Sequence, residues 1–300
     1  VLAVYMVVVL SGGAILAPWA WWLGQATGWE WLMDQPFRRY LHRCLLVLAL
    51  VGLVPLAWQL GIRRWEDLGW KDPVGAGWRR LAWGYGVGMA MVLAWTMVEV
   101  MMGGRVGRGG IGGIPMVGIL VMAGITGMVV GVLEETWFRG VLLGGMRRGW
   151  GWPAGLWISS VLFGWVHFLS QPAAPAEVTA WSGWVALGHM LSGWMEAGRS
   201  SRMLPVLIMA GWVLGLAYWR TESLWLPVGL HAGWVTGIKW RGALTTQGQV
   251  TWMDSGTGWV WGMTLLAALG TWWIMGKPIS WKVCRVAVRR RMGAGQWLRD

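Results

Sequence analysis

Four histidines and thirteen acids are all that 300 residues offer for proton transfer or metal binding. Those inside apolar runs therefore carry the chemistry. Leu133-Glu134-Glu135-Thr136-Trp137-Phe138-Arg139 ends an apolar run that begins near Pro115. An ionisable side chain in such a run costs several kcal/mol and marks a functional site by default. Glu135 and Arg139 stand i,i+4 with the acid first, the order that pairs best on a helix. Glu134 is turned about 100° away and has no local partner. One carboxylate is thus structural, and the other is free to hold a metal or accept a proton. Phe163 and His167 share a helix face in the next run, and His231 sits in a third, Leu226 to Val235. If the first two runs form a hairpin near Trp150, Glu134 lies about 24 Å before the turn and His167 about 26 Å after it. Acid and imidazole then meet at one depth. Glu134, His167 and His231 are ligands of the kind that hold Zn²⁺ with a position open for water. A carboxylate beside that water can take its proton and pass it to a leaving amine. The reaction class these residues imply is hydrolysis of a peptide bond in or beside a bilayer.

The elements that must position these residues follow from composition. Hydrophobic residues make up 56% and charged residues 13%, against about a quarter charged in soluble domains. This excludes a disordered chain and argues against a soluble enzyme. Apolar windows of about 20 residues, enough to cross a bilayer as helix, recur at 1–23, 41–60, 81–102, 115–146, 152–170, 203–219, 224–240 and 257–276. The fold expected is an all-α bundle of about eight membrane helices around a polar cavity. Residues 1–276 are expected to form a single transmembrane domain and 277–300 a basic cytoplasmic tail. The first run reads as a membrane helix rather than a signal peptide. The short apolar segment 181–195, with His189 inside it, suits a re-entrant or interfacial helix.

Charge sets orientation. With the amino terminus inside, Arg63, Arg64, Lys71, Arg79, Arg80, Arg139, Arg147, Arg148, Arg220 and seven tail residues fall on the cytoplasmic side. Nine basic residues, among them Arg105, Lys239 and Arg241, fall opposite. Basic residues are retained inside, so both termini are expected in the cytoplasm and the chain in the plasma (inner) membrane. The net charge of +12 then marks contact with membrane lipids, not nucleic acid. Gly107 to Gly112 fits a dinucleotide fingerprint only by spacing, with no strand before it. Cys44 and Cys284 are too few for a disulfide framework. No His-Glu-x-x-His and no Gly-x-Ser-x-Gly is present, which argues against a zincin site or a serine-hydrolase elbow.

Glu134-Glu135-x-x-x-Arg139, Phe163-x-x-x-His167 and His231 on successive membrane helices resemble the CAAX prenyl endopeptidase type 2 and bacteriocin-processing (CPBP) intramembrane proteases. The similarity covers roughly residues 65–240 and includes Leu68-Gly69 and Leu224-Trp225-Leu226-Pro227. The first motif arises by chance on the order of 0.01–0.02 times in a chain of this composition, so the match is specific. The resemblance implies a glutamate- and metal-dependent endopeptidase. Glu134 and His167 would activate water, and His231 with the residue four later would complete the oxyanion or metal shell. Glu135, Arg139 and Phe163 would support them. The cofactor would be a divalent metal, Zn²⁺ by ligand type. The partner would be a peptide or protein substrate cut near its carboxyl terminus, lipidated or bacteriocin-like. Val235 departs from the pattern, an apolar side chain where the family carries Asn or Asp. A catalytically weak relative that binds peptide, as in bacteriocin immunity, would tolerate it. A transporter using the same charges as an ion relay is the remaining alternative.

Overall fold

The computed structural model describes residues 1–109, 113–167, 175–200, 203–250 and 262, with backbone alone at 114, 148 and 193–200. The expected last span, the basic tail and Cys284 lie outside the described residues. Among the described residues ten α-helices follow one another: α1 Leu2–Ala26, α2 Glu30–Met33, α3 Phe37–Gln59, α4 Trp65–Leu68, α5 Val74–Met101, α6 Ile114–Glu135, α7 Gly144–Val166, α8 Ser182–Ser200, α9 Met203–Thr221 and α10 Trp225–Leu244. A π-helical stretch, Thr136–Leu143, joins α6 to α7 without a break. Prolines set several starts, because the ring fixes φ and its missing N–H is not needed in a first turn. Pro36 and Pro73 are the N-caps of α3 and α5, and Pro115 lies in the first turn of α6.

Among the described residues five helical segments are long and apolar enough to cross a membrane: Leu2–Ala26, Phe37–Gln59, Val74–Met101, Pro115–Arg147 and Met203–Thr221. The chain is an all-α, multi-pass membrane protein. Helices α7 and α10 occupy two further expected spans, with 23 and 20 residues. They are less apolar because they bear glycines and basic residues, and α10 also His231. A helix enclosed by other helices need not be hydrophobic all round. The segment expected to be re-entrant forms α8, whose Gly183 packs against the backbone of Ala14 in α1.

The scaffold is built on α10, which packs against both α5 and α6. Along the α5 contact the helices touch backbone to backbone. A methyl group on Gly88 would strike the carbonyl of Leu230, and one on Gly229 the carbonyl of Leu81. Small residues at every fourth position permit this approach in a bilayer, where dispersion rather than water drives association. Around α10 lies the main core, including Phe138, Leu143, Leu156, Phe163, Leu214, Tyr218 and Leu230.

Two clips fasten this scaffold at its ends. At one, Arg241 on α10 donates from Nε and Nη2 to the carboxylate of Glu99 on α5, at 2.8 and 2.9 Å. Beside it a two-stranded antiparallel ribbon pairs β1, Arg105–Gly107, with β2, Thr245–Gln247. Arg105 donates to Thr245 Oγ1 at 2.7 Å. The sequence marked Arg105 and Arg241 as loop charges, whereas both are buried. At the other end Ser223 donates to Asp72 at 2.5 Å. Lys71 pairs with Glu222 at 2.8 Å, and Leu224 N–H donates to Gly69 O.

Candidate active site

Glu134 and Glu135 end α6, where the chain enters the wider π-helical turn. Such turns re-aim side chains inside an otherwise continuous helix and recur at functional sites. Here Phe138 through Leu143 are all buried. The chain then reverses at Gly151, whose φ of 80° lies in the left-handed region that favours glycine. The second arm carries Phe163 and His167 back toward α6, at the end of α7.

Glu135 is fully buried and Arg139 1% exposed. Arg139 Nη1 donates to Glu135 Oε1 at 2.7 Å, as the spacing predicts. Its Nη2 donates to the carbonyl of Gly211 on α9 at 2.9 Å, and the guanidinium lies 4.6 Å from the Phe163 ring centroid. Arg139 is therefore an interior group, and the count of loop charges that oriented the chain must omit it. Glu135 Oε1 also accepts from His231 Nδ1 at 2.8 Å. The sequence did not show this bond, because the two residues lie 96 positions apart on different helices.

Glu134 faces the other way. Its Oε2 stands 3.9 Å from His167 Nε2 and 3.9 Å from His231 Nε2. That oxygen is buried and has no hydrogen-bond partner among the described residues. Each ring spends its other nitrogen elsewhere: His167 Nδ1 lies 2.7 Å from the Phe163 carbonyl, which can only accept. Each ring, with Nδ1 engaged, presents its Nε2 to Glu134, and in the neutral tautomer that nitrogen carries a lone pair. Phe163 packs against both imidazoles, with centroids 4.7 and 5.8 Å away. The three residues singled out on separate helices are brought together, with Glu135, Arg139 and Phe163 as their supports. Beside them lies an apolar cavity of about 430 Å³, lined by Leu2, Met6, Trp137, Leu142, Leu162 and Val166.

Over residues 116–237 the chain matches the family model described as type II CAAX prenyl endopeptidase Rce1-like. The chain carries a domain of this CAAX prenyl endopeptidase family. No curated protein and no solved structure matches it. The Rce1-like domain spans α6 to most of α10, and so contains all six site residues. The helix that α10 leans on, α5, lies outside the match.

In kind, the donors of this Rce1-like site suit a divalent cation. Three lone pairs converge, and each imidazole is oriented through Nδ1 by a carbonyl or a carboxylate, the arrangement that supports metal-bound histidine. In spacing they stand wider than ligands on one ion, since tetrahedral Zn²⁺ bonds hold neighbouring donors about 3.3 Å apart. Among the described residues no group of three or more His, Cys, Asp or Glu is assembled as a metal site. Val235 follows His231 by one turn and is half-buried, offering no polar atom. Sequence reasoning passed over Glu99, although an acid inside the apolar run 81–102 was itself the signal.

Proposed function

We propose that this chain is an intramembrane endopeptidase in which Glu134 is the general base. The supporting observation is the buried, unpartnered Glu134 Oε2 flanked by two Nε2 atoms at 3.9 Å. Polar groups at that separation suit a bridging water. Glu134 takes a proton from the water as it attacks the scissile carbonyl, then delivers it to the departing amine. Nε2 of His167 or of His231 accepts the water's other hydrogen and so orients it. Glu135 orients His231 through Nδ1, and Arg139 pairs with Glu135 in the core. A divalent cation held by Glu134, His167 and His231 would add acidification of that water and polarisation of the carbonyl. The substrate is a peptide, with the apolar cavity lined by Trp137 and Leu162 taking an apolar side chain or lipid beside the cut. The chain would lie in the inner membrane with both termini in the cytoplasm.

Val235 favours a second role, binding a peptide without efficient turnover. Full-length protein reconstituted with a library of labelled peptides separates the two: cleavage lost in Glu134→Gln supports the protease. Binding without cleavage in wild type supports the immunity-type role. Since Glu134 Oε2 makes no hydrogen bond, Glu134→Gln is expected to lower turnover by at least about 10²-fold while melting stays near wild type. Full activity in that variant would sink the assignment.

A further inference from the structure

The corner where α5 meets the α9–α10 connection contains a groove of about 770 Å³, lined by Ala76, Arg79, Arg80, Ala82, Trp83 and Leu226, with Thr221 at its edge. Its polar atoms are unevenly committed. Lys71 is paired with Glu222, and Nη1 of Arg80 is held by both oxygens of Asp72 at 3.0 and 2.8 Å. Thr221 Oγ1 is engaged by the Ala217 and Ser223 carbonyls. Arg79 has no hydrogen bond or ion pair among the described residues, so the groove carries net positive charge at that guanidinium. Trp83 lies one turn further along the same face, about 6 Å deeper into the span. Alanines at 76 and 82 leave the space between them open. An exposed cation, an indole one turn further along and apolar side chains beside them form a sequence matched to one kind of molecule. Phosphate, glycerol and acyl chain follow one another in that order in a phospholipid. Arg63, Arg64, Lys71 and Arg80 lie with Arg79 between the end of α3 and the first turns of α5, a basic cluster suited to an anionic leaflet.

We infer that this groove holds one anionic phospholipid, its phosphate on Arg79 and an acyl chain running past Ala82 and Trp83 to Leu226. The molecule bridges α5 to the first turn of α10, at a distance from Glu134 and independent of whether that residue hydrolyses peptides. Full-length protein in detergent is titrated with phosphatidylglycerol or phosphatidylcholine, and retained lipid is counted by native mass spectrometry. Wild type is expected to keep one phosphatidylglycerol at least tenfold more tightly than phosphatidylcholine. Arg79→Ala is expected to weaken phosphatidylglycerol about fivefold, the effect of one basic residue at an anionic surface. Arg63→Ala, an equally basic change away from the groove, is expected to leave it unchanged. Ala82→Trp, which fills the floor, is expected to remove both lipids while the melting temperature of the lipid-free protein holds. Equal retention of the two lipids overturns the inference, as does equal loss in Arg79→Ala and Arg63→Ala. Complete displacement by glycerol phosphate would identify a free-phosphate site and overturn it too.

Discussion

Replacing Glu135 with Gln removes one charge that two other groups depend on. Glu135 and Arg139 are each at most 1% exposed, and one oxygen, Oε1, accepts from both Arg139 Nη1 and His231 Nδ1. Removing one partner of a buried pair typically costs about 3–5 kcal/mol, because the remaining charge is stranded. The glutamine oxygen can still accept one of the two bonds, and Arg139 keeps the Gly211 carbonyl. The loss therefore falls near the lower end, about 3 kcal/mol. It is measured by denaturant unfolding of the full chain in mixed micelles. Arg139→Met should cost a similar amount by stranding the carboxylate. The double variant should be far less damaged than the sum, with a coupling of at least about 1.5 kcal/mol. Glu135→Gln should also lower kcat more than it raises KM, since His231 loses the group that orients it. Single variants within about 0.5 kcal/mol of wild type, or strictly additive losses, would refute the shared-charge argument.

Three further outcomes follow from the geometry. Val235→Asn places an amide one turn from His231 and should raise turnover tenfold or more, equivalent to about 1.4 kcal/mol of transition-state stabilisation; a fall in activity would show that the apolar side chain shapes the cavity. Arg241→Met strands Glu99, which is 1% exposed, and should cost about 3–5 kcal/mol in the same unfolding assay, whereas no loss would mean that the clip is dispensable. The hydrogen bond and charge of Lys71 hold the Glu222 carboxyl below its ordinary value of 4.5, against the opposing effect of partial burial. A lowered carboxyl contributes stability that is complete above that ordinary value and lost as pH falls through the lowered one. Acid melting curves of wild type and Lys71→Met should therefore converge at low pH and separate above about 4.5; parallel curves would remove Lys71 as the cause.

The parts of this molecule legible in the sequence are those in which position along one helix fixes position in space. Glu135 and Arg139 needed only their i,i+4 spacing. Glu134 and His167 needed only equal distances from a turn, and Gly151 makes that turn. His231 was visible as a scarce ionisable residue in an apolar run. Its bond to Glu135 was not, since helix-to-helix rotation is set by packing that no single run records. Glu99 and Arg241 failed for a different reason. Near helix ends, charge has two explanations, solvated loop or buried clip, and only the partner on the other helix decides between them. The ribbon of Arg105–Gly107 with Thr245–Gln247 is too short to leave a period-2 pattern. Helices α7 and α10 are less apolar than α1, α3, α5, α6 and α9, because Arg147 and Arg148 on one, Lys239 and Arg241 on the other, and glycines on both dilute their apolar side chains.

The seam between α5 and α10 has a consequence for mechanics. Gly84 and Gly88 on one helix, and Gly229, Gly233 and Gly237 on the other, repeat every four residues, like equally spaced notches on two rulers. Sliding α10 by one notch, about 6 Å, brings glycine opposite glycine again, so close contact alone does not distinguish the two alignments. That slide would carry His231 a full turn past Glu134 and Glu135. The charged clips at the two ends, Glu99 with Arg241 and Asp72 with Ser223, have no repeat and can close in only one alignment. Glycine makes the joint tight, and four polar side chains far from the reacting atoms select the notch at which the histidine meets its carboxylates.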